Sequence, residues 1–242
     1  VNNTFDRLLL VPGSAATLGN STHVKSYVSN NGGTLYTGGH LILDATNSST
    51  AYIDKILNGG IISGNVTVNI VTTPYPNVRF ISHPFSTPIE ISQLNDNFTL
   101  DVTGGINQNI WYYNPTTSSL AGNTPTQLIP YLNSKSIYTG YTSITGAWNA
   151  YDGIRAYIPA NTTLDFSGPI NQGNVPVTYT SGASGINFVG NPFPSPVKLS
   201  ISNLPGGVNS IYYFSPSTNN GQGSWYARTG TKIGGITIPM GA

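Results

Sequence analysis

Apolar and polar residues alternate with a period of two in Val66-Thr67-Val68-Asn69-Ile70, the pattern of a strand that buries one face. Shorter runs of the same character occur at Leu35-Tyr36, His40–Leu43, Ala51–Ile53 and Ile56-Leu57. Between them stand Gly32-Gly33, Gly38-Gly39, Asn58-Gly59-Gly60 and Ser63-Gly64, so a turn recurs every ten or so residues. Leu8–Val11 is a short apolar run stopped by Pro12-Gly13, and it predicts a strand buried on both faces. Further strands are predicted at Phe98–Val102, Ile110–Tyr113, Gly153–Ile158 and Leu164–Phe166, with a loop-rich stretch over 114–136. Helix formers never gather at 3.6-residue spacing long enough to offset the cost of helix nucleation, and Glu90 is the sole glutamate. The chain is therefore predicted to be all-β.

Two segments are written alike. Arg79–Ile91 aligns without a gap on Asn187–Leu199, placing Phe80 on Phe188, Pro84 on Pro192, Phe85 on Phe193, Pro88 on Pro196 and Ile89 on Val197. Around them, Gly64–Val68 matches Gly173–Val177, and Ile110–Pro115 matches Ile211–Pro216. Trp148, Gly153 and Pro159 likewise resemble Trp225, Gly230 and Pro239. The expectation is an internal duplication that builds two similar β-sandwich, jelly-roll-like halves. The first 50 residues form an N-terminal strand segment and a β-rich lead-in. The first unit spans 51–160 and the second 161–242, the second being one strand short because it stops near Met240 where another strand is due. Either the sequence is a piece of a longer polypeptide or a partner supplies that strand.

The alternating Pro192, Pro194 and Pro196 fix φ, remove three backbone donors and push each preceding residue toward extended geometry. This predicts a stiff strap at a sheet edge, with Phe193 filling the core and Gly190 allowing a bulge or a close backbone approach.

Composition narrows the function. Of 242 residues only 7% are charged, against about 25% in ordinary soluble domains. The nine basic residues are scattered singly and the net charge is +1, which excludes the clustered positive charge a nucleic-acid partner requires. With no cysteine there are no disulfides, thiolate metal sites or cysteine nucleophiles. No run reaches the ~20 apolar residues of a membrane-spanning helix. The sequence opens at Val1 without an initiator Met, as a processed product or an excised fragment would.

The string Asn187-Phe188-Val189-Gly190-Asn191-Pro192-Phe193-Pro194-Ser195-Pro196 resembles the Asn-Leu-Val-Gly-Asn-Pro-Tyr-Pro-Ser-Pro-Ile signature of large Bacteroidota proteins exported by the type IX secretion system. Ile62–Val68 followed by Arg79–Pro84 is similar to a second segment of that group. The resemblance runs from about residue 50 to the end of the sequence. It implies a secreted, cell-surface protein of adhesin or matrix type. The chain departs from the pattern in lacking a sorting domain and in carrying Lys198-Leu199 where an Asp-Trp pair often follows.

Candidate chemistry is sparse. Asp96 with Asp101 and Asp152 with Asp165 are the only carboxylate pairs to weigh for hydrolysis, and solvated turn residues explain them as well. His23, His40 and His83 are far apart in sequence and no Gly-x-Ser-x-Gly elbow accompanies them, so neither zinc nor a serine triad is expected. His83 aligns with Asn191, as a polar spacer before proline would. No cofactor is expected; calcium is the one cation that Asp and carbonyl groups in Gly-Asn loops suit, although no Asp-x-Asp-x-Asp-Gly loop is present. Asn2, Asn20, Asn47, Asn65, Asn97 and Asn161 head glycosylation triplets, which an Asn/Ser/Thr-rich chain forms by chance.

A chain so poor in charge lacks what normally keeps surfaces and strand edges apart. The expected function is therefore a non-enzymatic extracellular structural or adhesive subunit that forms a homopolymeric surface fibre by strand addition. Its assembly strand comprises Thr4, Phe5, Leu8, Leu9, Leu10 and Val11, entering a neighbour's acceptor end at Ile236, Ile238 and Met240. The same N-terminal run also reads as the first strand of its own sheet. The alternative function is a carbohydrate-binding adhesin module contacting surface glycans through a platform of Trp111, Tyr113, Trp148 and Trp225.

Overall fold

The structure is a computed structural model that describes residues 2–46, 49–72, 77–94, 97–98, 110–113, 141–142, 146–159, 161–176, 187–200, 207–208, 210–215, 224–229, 234–238 and 240. The expected strand beyond Phe98 and the loop-rich stretch after Asn114 lie outside the described residues.

Glycine turns set the architecture of the first seventy residues. Gly13, Gly32 and Gly59 have φ of +72°, +91° and +73°, a region that side chains with a Cβ rarely enter. Each turn reverses the chain between a strand of one sheet and a strand of a second. The outgoing strands are β1 (Asn3–Leu10), β3 (Thr22–Asn30), β5 (Leu41–Leu43), β6 (Tyr52–Ile53) and β8 (Asn65–Val71); the returning ones are β2 (Ala15–Thr17), β4 (Thr34–Tyr36) and β7 (Ile61–Ser63). Successive coils stack in parallel. Asn3 lies beside Thr22, Thr22 beside Leu41, and Leu41 beside Val66; on the return side Ala15, Thr34 and Ile61 align. β6 pairs with the second half of β3. This is the geometry of a short solenoid, in which every coil contacts only its neighbours.

Side chains facing inward form ladders down the stack. Phe5, Val24, Leu43 and Val68 lie in register, and the row continues to Phe166 of the strand that closes the stack. Val24, Leu43 and Val68 are fully buried, as are Leu35 of β4 and Leu41 of β5. Buried polar groups occupy corners: Asn30 donates to the carbonyls of Gly33 and Ile61 and accepts from the Gly33 N–H, while Thr37 donates to Asn65 O at 2.7 Å. A Cβ at Gly60 would stand 2.5 Å from Asn30 Oδ1, so the tight corner requires glycine.

The remaining strands are antiparallel where they pair. They are β9 (Asn77–Ile81), β10 (Ile89–Glu90), β11 (Ile110–Tyr113), β12 (Tyr141–Thr142), β13 (Ala147–Trp148), β14 (Ile154–Ile158), β15 (Thr163–Pro169), β16 (Val197–Ser200), β17 (Ser210–Ser215), β18 (Ser224–Thr229) and β19 (Gly234–Ile238). β15 pairs with β8 from Thr163–Val71 to Pro169–Asn65 and covers that end of the stack. β12, β11, β14 and β9 form a four-stranded sheet, and β10–β13, β16–β19 and β17–β18 form two-stranded ones. No α-helix occurs among the described residues, and the all-β expectation stands.

Several local expectations change. The Leu8–Val11 run is not buried on both faces: Leu10 is inside, but Leu9, in register with Ser29, faces outward and Val11 lies past the end of β1, and each is 63% exposed. Residues 174–176 are not a strand, unlike their match Asn65–Thr67, since Pro176 lacks the N–H that a ladder uses. Phe193 is half-buried, whereas Phe85 fills the core. Sheet pairing also crosses residue 50 without interruption, as β8 lies beside β5.

Candidate functional site

β1 is held on one edge only. It pairs in parallel with β3 from Asn3–Thr22 to Leu10–Asn30, and among the described residues no other strand pairs with it. It is thus the first strand of its own sheet, with its opposite edge of N–H and C=O groups open. The inward residue Phe5 shows the same end effect: it is 44% exposed although its ladder neighbours Val24, Leu43 and Val68 are fully buried. Thr4 is exposed, Leu8 packs partly against the core, and Leu10 is inside.

A bulge interrupts the ladder in the middle of β1, where the register shifts between Phe5–Val24 and Arg7–Tyr27. Asp6 and Arg7 sit at this point and form an exposed ion pair of 3.2 Å, their side chains 67% and 58% exposed. Ser26 Oγ donates to Asp6 Oδ1 at 2.8 Å, and the Arg7 guanidinium lies 5.2 Å from the centre of the Tyr27 ring, which stacks on Tyr52. The Arg7, Tyr27 and Tyr52 side chains therefore form an outward ladder across three coils. Neither charged residue of this strand belongs to the sequence-based assembly set. The turns Pro12-Gly13, Asn31-Gly32 and Asn58-Gly59 mark the coils in the sequence, but Arg7, Tyr27 and Tyr52 stand at unequal distances before them, so only the strand registers bring the three into line.

At the other expected end, β19 pairs with β16, Ile236 opposite Leu199 and Ile238 opposite Val197. Ile236 and Met240 are buried within their own chain and Ile238 is half-buried, so these side chains do not form an open acceptor groove. Their apolar surface is largely covered, and among the described residues no strand pairs with the edge of β19 away from β16.

Burial removes two members of the expected sugar platform. Trp148 is fully buried, edge-on to His83 and Phe166, and donates its indole N–H to Asp152 O at 2.6 Å. Trp225 is buried against Phe80, Phe188 and Phe214. Neither ring can present a face to a sugar. Trp111 lies opposite Arg155 and Tyr113 opposite Tyr141 in their sheet.

The histidines part company as well. His83 is inside: its Nε2–H donates to Trp148 O at 2.7 Å and its Nδ1 accepts the Phe85 N–H at 3.2 Å. Burial pushes its pKa down to about 4, against which the bond to the Trp148 carbonyl works only partly. A ring with both nitrogens engaged and a neutral state at pH 7 is a structural group. His23 Nδ1 lies 2.9 Å from Asp44 Oδ1 on the outer face of the parallel sheet. Among the described residues no group of three His, Asp or Glu converges as a metal site would, and no helix is long and apolar enough to cross a membrane.

Comparison with protein-family models, with curated proteins and with solved structures finds no match in any of the three. Function is therefore argued from the geometry of the chain itself.

Proposed function

We propose that this chain is a non-enzymatic extracellular structural or adhesive subunit that associates with copies of itself by strand addition. The observation that carries the reading is the open outer edge of β1, with Phe5, Leu9 and Val11 exposed beside it. An end strand that is eight residues long and carries large exposed apolar side chains is a template for pairing with another chain. The low overall charge is in keeping with this, since little repulsion opposes close approach.

The antiparallel part of the chain reads as two similar sandwich-like halves from an internal duplication. Supporting this, the aligned strap residues Ile89 and Val197 each pair antiparallel with a strand further along the chain, Ile89 with Trp148 and Val197 with Ile238. By the same pairing Ile238, rather than Trp225, takes the place of Trp148. The Val-Gly-Asn-Pro-Phe-Pro-Ser-Pro string supports export by a type IX route to a Bacteroidota cell surface.

Light scattering on the purified chain over a concentration series, with negative-stain images of the same samples, tests the self-association. The expected result is a mass that rises above 25.6 kDa with concentration. A single 25.6 kDa species throughout overturns it.

A further inference from the structure

We infer that the outer edge of β1 pairs antiparallel with β1 of a second copy, about a two-fold axis that passes between Asp6 and Arg7. This rests on the reading of the chain as a self-associating subunit, and it names the register of the contact.

The midpoint of Asn3–Leu10 falls between those two residues. A two-fold axis there sets Asp6 opposite Arg7 of the second copy, and Arg7 opposite its Asp6. Both side chains are exposed and within reach of such a partner. Moving outward, Phe5 meets Leu8, Thr4 meets Leu9 and Asn3 meets Leu10. These pairings respect the two faces of the sheet. Phe5 and Leu8 lie in register with the buried Val24 and Val28, and Asn3 and Leu10 with the buried Thr22 and Asn30, so all four belong to the inner face. Thr4 and Leu9 lie in register with His23 and Ser29 on the outer face. Phe5, exposed only for want of a neighbour along its ladder, gains one in Leu8 of the second copy.

The charges also select the register. A slip by one residue in one direction sets Asp6 against Asp6, and in the other direction Arg7 against Arg7, on the axis itself. Like charges directly opposite are unfavourable, and a one-residue slip would also turn inward residues outward. The adjacent acid and base thus favour one alignment and oppose both of its neighbours.

The alternative partners are less well matched. The far end of the parallel stack is covered by β15 along the full length of β8, so stack cannot join stack head to tail through that strand. β19, Gly-Gly-Ile-Thr-Ile, carries no charge to meet Asp6 or Arg7, and its Ile236 is already buried.

Charge reversal separates these cases. The wild-type chain, Asp6→Arg, Arg7→Asp and an equimolar mixture of the two variants are compared by sedimentation equilibrium, with native mass spectrometry to identify mixed dimers. Each single variant places two like-charged pairs in the contact and is expected to self-associate about tenfold more weakly or worse. The mixture restores opposite charges at both pairs, so mixed dimers should form with wild-type affinity and outnumber either self-dimer. Losses within one chain, such as the Ser26 bond to Asp6, cannot be repaired by mixing. If the wild type associates but the variants do so undiminished, or the mixture is no better than its components, the β1 register is wrong while self-association stands. If the wild type is monomeric at every concentration, both fail.

Discussion

Phe80 and Phe188 occupy the same place in two like-written segments, and in the fold they meet edge to face with ring centres 5.0 Å apart. The aligned pair two residues on also meets: Ser82 lies directly against Gly190, and its Oγ donates to Asn191 O at 3.1 Å. The two straps therefore pack on each other through residues that align in sequence. Phe80 gathers Phe214 and Trp225 around the same point. Asn171 ties both straps down, donating from Nδ2 to Phe85 O and to Pro192 O.

His83 and Asn191, also aligned, make corresponding bonds. Each accepts the N–H of the phenylalanine two residues on, and each donates to a carbonyl of the strand beside its strap, Trp148 for His83 and Ile238 for Asn191. His83→Ala removes both bonds and leaves a buried donor and acceptor unmet, a cost of about 2–4 kcal/mol. His83→Asn, which supplies the group used at the equivalent site, should cost less than half as much. Urea unfolding of both variants checks the order.

The buried imidazole also makes stability depend on pH in one direction. Unfolded, it takes up a proton near 6.5; folded, only near about 4. Between these values the unfolded chain holds the proton and the folded chain does not. His83's contribution is therefore complete above pH 6.5 and falls as the pH drops toward 4, by up to roughly 3 kcal/mol. Urea midpoints measured down this range should fall in the wild type and fall less in His83→Asn.

Much of the strap was legible in the sequence because proline and phenylalanine act locally: fixed φ angles and a large apolar ring announce an extended, anchored segment. The close approach expected at Gly190 is real, and the residue it meets is its own counterpart Ser82. The parallel coils were harder to see. Their signal is one glycine turn per coil, and the last coil, from Leu41 to Val66, is longer than the two before it. The exposure of β1 was hidden for a different reason: Leu8–Val11 has the composition of a doubly buried strand, and only the stacking order makes it an end. Trp148 and Trp225 show the limit for side chains, since a tryptophan suited to a sugar face is equally suited to a core.

Gly190→Ala should be strongly unfavourable, because its Cβ would overlap Ser82 Cβ and the backbone there is fixed by the Gly190 N–H bond to Tyr151 O. A loss of about 2–3 kcal/mol is expected. Adding Ser82→Gly relieves the overlap, so the double variant should be more stable than Gly190→Ala alone despite losing the bond to Asn191 O. Thermal unfolding of the two singles and the double gives the coupling directly.

Trp148→Ala and Trp225→Ala should each destabilise the fold by about 3–5 kcal/mol, as loss of a buried tryptophan does. If either protein kept wild-type stability and lost affinity for a glycan, the buried placement of that ring would be wrong. Denaturant titration beside a glycan array distinguishes the two outcomes.

Self-association through the outer edge of β1 is tested most directly by hydrogen–deuterium exchange on Asn3–Leu10 as the protein concentration is raised. The amides of this strand that do not bond to β3 face outward. They should exchange fast in dilute solution and become protected at high concentration, while protection in the buried strand β5 stays constant. Exchange in β1 that is the same at every concentration, in samples whose mass has risen, would contradict the claim.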